Sequence, residues 1–127
     1  MINSKPRLLY LEDEAYLALA VTRHLSGEDG FDVCCVQSLA AAERALLGPR
    51  MDLALMDVQL APGETSLPLA QRLMRDGVPV VLTSGLSTFP PGWPLDVPLP
   101  RFIDKPYDMD RLPGLLRAAL GGPADAP

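Results

Sequence analysis

The sequence has no long apolar run, although 48% of its 127 residues are hydrophobic. No stretch reaches the roughly 18 apolar residues that a membrane-spanning helix needs. The first six residues also lack the apolar segment of a signal peptide. From the sequence we therefore expect no membrane span and no export, which predicts a cytoplasmic protein.

Cysteines and clusters of basic residues are scarce as well. The only two cysteines, Cys34 and Cys35, are adjacent within a predicted strand. Neighbouring strand residues point to opposite faces, so no disulfide is expected between them. The eleven basic residues are scattered and the net charge is −5, which argues against direct binding of nucleic acid. Only two of the eleven are lysines, Lys5 and Lys105.

What the sequence does contain is an alternation of apolar runs with segments of helical period. Its length fits one globular domain. The apolar runs are predicted strands, five in number, at residues 7–11, 31–36, 52–57, 78–83 and 101–105. Helical segments follow most of these runs, which predicts an α/β fold built on a parallel sheet.

The predicted helices begin at polar residues and end near glycines. The first spans residues 14–26, and the later ones are predicted to be capped by Ser38, Ser66 and Asp110. Between residues 86 and 100 the pattern fails, because five prolines there cannot lie in a helix interior. We therefore expect the helix before the last strand to be short or absent.

Polar signals stand at the ends of four predicted strands, namely Glu12-Asp13, Asp57, Thr83 and Lys105-Pro106. In an open parallel sheet the carboxyl ends of the strands meet at one edge, where ligands bind. Three acids, a hydroxyl and a lysine would then share one crevice.

The acids in this crevice predict a metal site. Carboxylates about 4 Å apart repel one another by roughly 4 kcal/mol at an effective dielectric constant near 20, and a cation would relieve that repulsion. Mg²⁺ prefers hard oxygen ligands and takes one or two carboxylates. We predict Asp13 and Asp57 as direct ligands, Glu12 as a ligand through water, and the main-chain carbonyl of Gln59 as a further ligand.

The same residues predict a phosphate-accepting aspartate. A carboxylate that attacks phosphorus forms an acyl phosphate, and the transferring oxygens need positive charge and hydrogen-bond donors. Lys105 and Thr83 supply them beside Asp57. Taken singly, Asp57 could be a solvated strand end and Thr83 an ordinary β-branched strand residue, so it is their combination that carries the prediction.

These motifs resemble the receiver domains of bacterial two-component response regulators, including the chemotaxis regulators. That family has an acidic pair, a phosphorylated aspartate, a threonine or serine, and a Lys-Pro pair, at similar spacing. The segment Arg-Phe-Ile-Asp-Lys-Pro-Tyr-Asp at residues 101–108 is close to the family's last strand and loop. The resemblance covers residues 1–121, with 122–127 as a flexible tail.

The resemblance implies a flavodoxin-like fold, a doubly wound sheet of five parallel strands in the order 2-1-3-4-5. It implies Asp57 as the phosphoacceptor, Mg²⁺ at Glu12 and Asp13, and a cis peptide bond before Pro106. It also implies that Phe102 is an aromatic switch residue that swings when Thr83 moves toward the phosphoryl group.

The chain departs from the family in the loop after Asp57. Most receivers carry proline and glycine where this chain has Ala61 and Thr65. This loop and the proline-rich stretch resemble a branch of stand-alone receivers from alphaproteobacteria, often paired with HWE-type sensor histidine kinases. The departure puts in doubt any output that relies on a full helix before the last strand.

The leading hypothesis is a single-domain response regulator that is not an enzyme. A sensor histidine kinase or phosphotransfer protein would phosphorylate it, and it would signal to an unknown downstream protein or act as a phosphate sink. The sequence leaves open whether the chain forms a homodimer. One alternative is an interaction domain that works without phosphorylation. Another is an aspartyl-phosphate phosphatase, against which Gln59 counts because such enzymes have an aspartate at that position.

Overall fold

The computed structural model describes residues 5–27, 30–60, 63–84 and 93–121. The predicted tail at 122–127 lies outside these ranges. None of the helices in the described ranges is both long enough and apolar enough to cross a lipid bilayer.

Five parallel strands form one sheet in the order β2-β1-β3-β4-β5. They are β1 (Arg7–Leu11), β2 (Asp32–Val36), β3 (Leu53–Asp57), β4 (Val80–Ser84) and β5 (Arg101–Asp104). The central strand β3 is buried throughout, as expected for a parallel sheet covered on both faces. The predicted fold class and strand order are confirmed.

Within the described ranges, four helices cover the two faces of the sheet, and they are α1 (Ala15–Leu25), α2 (Leu39–Ala45), α3 (Leu67–Arg75) and α4 (Leu112–Leu120). Buried residues of α2 and α3 pack with one set of strand side chains, including Leu9 and Met56. Those of α1 and α4 pack with the alternate set, including Leu8 and Leu55. Each fully buried leucine contributes about 1.5–3 kcal/mol relative to an exposed one, so both layers stabilise the sheet.

The helix ends agree only in part with the predicted caps. Ser38 caps α2 by accepting a hydrogen bond from the backbone N–H of Ala41 at 3.1 Å. The cap predicted at Asp110 is wrong, because α4 begins at Leu112 and Arg111 holds the N-cap position. Asp108 organises the preceding turn instead, since its side chain accepts from the backbone N–H of Asp110 at 3.1 Å.

The proline-rich connection to β5 is described only in part. The helix in this stretch was predicted to be short or absent, and residues 85–92 lie outside the described ranges. Residues 93–100 contain a turn and no helix. Trp93 is partly buried against the α2/α3 side of the core and donates its indole N–H to the carbonyls of Val97 and Pro98, each at 3.1 Å.

Candidate functional site

The strand register brings the four polar signals to one edge of the sheet. Asp57 pairs with Thr83 across β3 and β4. On either side, Leu11 pairs with Met56 and Ser84 pairs with Asp104. Residues that follow these pairs, Glu12 after β1 and Lys105 after β5, therefore continue the same edge.

Three acids gather at this edge, as the sequence predicts. Glu12, Asp13 and Asp57 each offer a carboxylate oxygen, and these oxygens all lie within 4.8 Å of one another. Glu12 is fully buried and Asp57 is 8% exposed, whereas Asp13 is exposed. Two of the three charges are thus held largely out of water, where repulsion between them is costly.

Lys105 bridges the two buried acids. Its Nζ lies 2.8 Å from Glu12 Oε1 and 2.9 Å from Asp57 Oδ2. Burial lowers the pKa of Lys105, but the hydrogen bonds to Glu12 and Asp57 outweigh burial and raise that pKa above its ordinary value. The lysine is therefore a fixed positive charge beside Asp57 at neutral pH.

Glu12 has its charged form disfavoured by burial. Burial raises the pKa of Glu12, and its hydrogen bonds with Lys105 and with the backbone N–H of Glu14 offset that rise in part. Both Glu12 oxygens accept hydrogen bonds from the protein, from Lys105 at 2.8 Å and from the Glu14 N–H at 3.1 Å.

The donor set fits a magnesium ion. Three carboxylates meet one ammonium group, so two negative charges are left over when all three acids are ionised. A small divalent cation with oxygen ligands matches both that charge and that chemistry. Asp13 has the exposed carboxylate of the three.

Thr83 accepts a hydrogen bond from a residue that the sequence analysis did not identify. The Tyr107 hydroxyl donates a hydrogen bond to Thr83 Oγ1 at 3.1 Å. Thr83 is fully buried, and Tyr107 packs against the core on the α1/α4 side. Burial raises the pKa of the Tyr107 phenol, and the charge of Lys105 offsets that rise in part.

The backbone carbonyl of Asp57 is held by Ser66, which the sequence analysis predicted only as a helix cap. Ser66 holds the N-cap position of α3 but makes no side-chain cap. Its buried hydroxyl donates to the Asp57 carbonyl at 2.7 Å, while Thr65 Oγ1 accepts from the backbone N–H of Leu67 at 3.2 Å. The predicted N-cap position of Ser66 is therefore confirmed, but its hydroxyl contacts the Asp57 carbonyl and does not cap the helix.

Gln59 and Phe102 are the remaining predicted residues of the site. Gln59 has an exposed side chain and pairs with Thr65 through an isolated antiparallel bridge. Phe102 is half-buried, pairs with Leu82, and packs against the α2/α3 side of the core. The peptide bond between Lys105 and Pro106 is cis, as the resemblance implies.

The signals for Tyr107 and Ser66 are weak in the sequence. Tyr107 directly follows the Lys-Pro pair, and Ser66 precedes a helix with a proline in its first turn. Only the folded path of the loops brings the Tyr107 hydroxyl to Thr83 and that of Ser66 to the Asp57 carbonyl, so spacing along the chain does not predict either contact.

Comparisons with known proteins concern the fold of the chain. No family model and no curated protein matches the sequence. Many solved structures, however, share its fold. A signal receiver domain of a histidine kinase from Syntrophus aciditrophicus is 25% identical with a TM-score of 0.73, and 96% of this chain and 95% of that chain are covered.

Two further structures show the same similarity. A response regulator receiver protein from Sinorhizobium medicae is 24% identical with a TM-score of 0.73, covering 94% of this chain and 97% of its own. A CheY-like receiver domain from Methylobacillus flagellatus is 23% identical with a TM-score of 0.74, covering 91% and 99%. The chain therefore has the flavodoxin-like fold of CheY-like response regulator receiver domains, as its four motifs predict.

Proposed function

We propose that the chain accepts a phosphoryl group on Asp57 from a sensor histidine kinase or a phosphotransfer protein. The observation that supports this most directly is the position of Asp57. Its carboxylate lies at the carboxyl end of the sheet with Lys105 Nζ 2.9 Å from Oδ2 and two further acids around it. An aspartate held in this way can act as a nucleophile and still have a cation beside it for the incoming phosphoryl group.

The transfer uses groups that the chain itself supplies. An Asp57 oxygen forms a bond to phosphorus while the bond between phosphorus and the donor breaks. From phosphohistidine, the electron pair goes to the ring nitrogen, which then takes up a proton; from acetyl phosphate, acetate leaves. Lys105 offers its charge to one phosphoryl oxygen, and Thr83 donates its hydroxyl to another.

Mg²⁺ belongs to the proposal as the cofactor. Asp13 and Asp57 are its proposed direct ligands, with Glu12 acting through water and the Gln59 carbonyl completing the protein ligands. When bound, the ion would neutralise charge that develops on the phosphoryl oxygens.

The proposed output is a change of binding surface. The phosphoryl group brings about 1.5 to 2 negative charges, and Thr83 moves toward it. Phe102 then swings into the space that Thr83 leaves, which repacks the surface around β5 and α4. A downstream protein would read this surface, or the chain would act as a phosphate sink that competes for a shared kinase. HWE-type kinases are the proposed class of donor.

Intact mass spectrometry tests the proposal. The chain is incubated with acetyl phosphate or phosphoramidate, with and without Mg²⁺, beside Asp57→Asn. We expect a single phosphoryl adduct that requires Mg²⁺ and is lost in the variant. Asp52→Asn is the matched control, because Asp52 is exposed and lies just before the other end of β3, and it should be modified like the native chain.

Two results would contradict the proposal. One is an adduct that survives Asp57→Asn, which would place the acceptor elsewhere. The other is no adduct with either donor under conditions that modify a control receiver domain, which would favour an interaction domain that works without phosphorylation.

A further inference from the structure

The hydrogen bond between Tyr107 and Thr83 limits what the threonine hydroxyl can do. A hydroxyl group has one proton to donate and can accept two hydrogen bonds. Tyr107 donates to Thr83 Oγ1 at 3.1 Å, so it occupies an acceptor position and leaves the Thr83 proton unused. The threonine is fully buried, and that proton needs an acceptor within the site.

The tyrosine ring is well placed to hold this hydrogen bond steady. Tyr107 packs against the α1/α4 side of the core, which also contains Val81, two residues before Thr83 on β4. A donor that is fixed in the core orients its acceptor more firmly than a mobile water would. Donation into Thr83 Oγ1 also polarises the threonine O–H bond, and hydrogen bonds in such chains strengthen one another.

We propose that Tyr107 is a positioning residue for phosphorylation, one that directs the Thr83 proton toward the phosphoryl group on Asp57. This inference rests on the proposed function, since it assigns a role within the same site. Tyr107 acts only through Thr83 and makes no contact of its own with the phosphoryl group.

A second tyrosine provides the control. Tyr16 lies in the first turn of α1 and is 88% exposed. Tyr10 is not suitable, because its buried phenol interacts with Tyr107. Tyr16→Phe therefore removes a phenol hydroxyl at a solvated position without touching the hydrogen bond to Thr83.

The experiment is a double-mutant cycle read by the rate of adduct formation. The native chain, Tyr107→Phe, Thr83→Val and the double variant are phosphorylated by acetyl phosphate with Mg²⁺, and intact mass gives each rate. We expect Tyr107→Phe to lower the rate by roughly three- to tenfold, the range of one hydrogen bond. In the Thr83→Val background the same substitution should change nothing, and Tyr16→Phe should stay within about twofold of the native rate.

Each outcome decides between the inference and the proposed function. If the native chain is modified on Asp57 and Tyr107→Phe reacts at the native rate, the positioning role is wrong while the phosphoacceptor role stands. If Tyr107→Phe slows the reaction equally with and without the Thr83 hydroxyl, the tyrosine has a merely structural effect and the inference is again wrong. If the native chain forms no adduct under conditions that modify a control receiver, both fail together.

Discussion

The two ends of the sheet use the same kinds of charged residue in opposite ways. At the amino end, Arg7 pairs with Asp32 at 3.1 Å, with side chains 31% and 57% exposed, and its backbone N–H donates to Asp52 at 2.8 Å. At the carboxyl end, Lys105 lies between Glu12 and Asp57, whose side chains are 1% and 10% exposed. One set of charges is solvated and the other is largely buried.

The difference also lies in the balance of charge. The amino end sets Lys5 and Arg7 near Asp32 and Asp52 around one cavity, so its charges cancel. The carboxyl end sets three carboxylates against one ammonium. A buried cluster with excess negative charge lowers the stability of the fold unless a further cation binds to it. Such a cluster is typical of a cation-binding site. Substitutions of charged residues at the two ends should therefore change the free energy of unfolding by different amounts, and in one case with opposite sign.

The largest effect is expected for Lys105→Met, measured without Mg²⁺. The substitution keeps an apolar side chain of similar length but leaves Glu12 and Asp57 buried without their cation. We expect the free energy of unfolding to fall by about 2 kcal/mol, because removing one partner of a buried ion pair leaves uncompensated charge. Urea denaturation followed by circular dichroism measures the change.

Lys5→Met is the control for that prediction, since Lys5 is the only other lysine in the chain. It is exposed, and its Nζ donates to the carbonyl of Ser26 at 3.2 Å. We expect a change within about 0.5 kcal/mol, as for surface substitutions in general. Equal effects of the two substitutions would show that Lys105 is an ordinary surface lysine in energetic terms.

A smaller effect of opposite sign is expected for Glu12→Gln. Burial raises the pKa of Glu12 in the folded chain, so its ionised form costs stability, and that cost grows as the pH rises through this pKa. Without Mg²⁺ the variant should be more stable by about 1 kcal/mol at neutral pH, and the gain should shrink in acid, where the native carboxyl is protonated. Urea denaturation at several pH values measures it.

The amino end again provides the comparison for Glu12→Gln. Asp52→Asn also replaces a carboxylate by an amide, and its amide oxygen can still accept from the Arg7 N–H. It should give no gain at neutral pH. A higher free energy of unfolding in both variants, or a lower one in Glu12→Gln, would contradict this prediction. It would mean that excess negative charge at the carboxyl end does not lower the stability of the chain.

The hydrophobic pattern and the direction of the strands determine which features could be predicted from the sequence. Apolar runs and helical periods predicted all five strands, because parallel strands must be buried on both faces. The strand order was predicted only by the family resemblance. The ends of strands also predicted that Glu12, Asp57 and Lys105 meet, since strand direction alone places them at one edge.

Contacts that depend on the course of a loop could not be predicted in this way. Tyr107 reaches Thr83, and Ser66 reaches the Asp57 carbonyl, by paths that no periodicity specifies. The cap predicted at Asp110 failed for the same reason, because Asp108 forms a turn that delays the helix to Leu112. The sequence thus identified the acids, Thr83 and the lysine, and it left open the hydroxyls of Tyr107 and Ser66, which contact Thr83 and the Asp57 carbonyl.

The smallest effect is expected at the amino end, for Asp32→Asn. Its ion pair with Arg7 is exposed, and such pairs contribute about 0 to 1 kcal/mol because water and salt screen them. We expect urea denaturation to show a loss of at most about 0.5 kcal/mol, and a smaller loss at high salt. The rate of phosphorylation by acetyl phosphate should equal the native rate, since Asp32 begins β2 at the far end of the sheet. A loss above about 1 kcal/mol, or a slower phosphorylation, would mean that the amino end is coupled to the acid cluster and is more than a solvated border of the sheet.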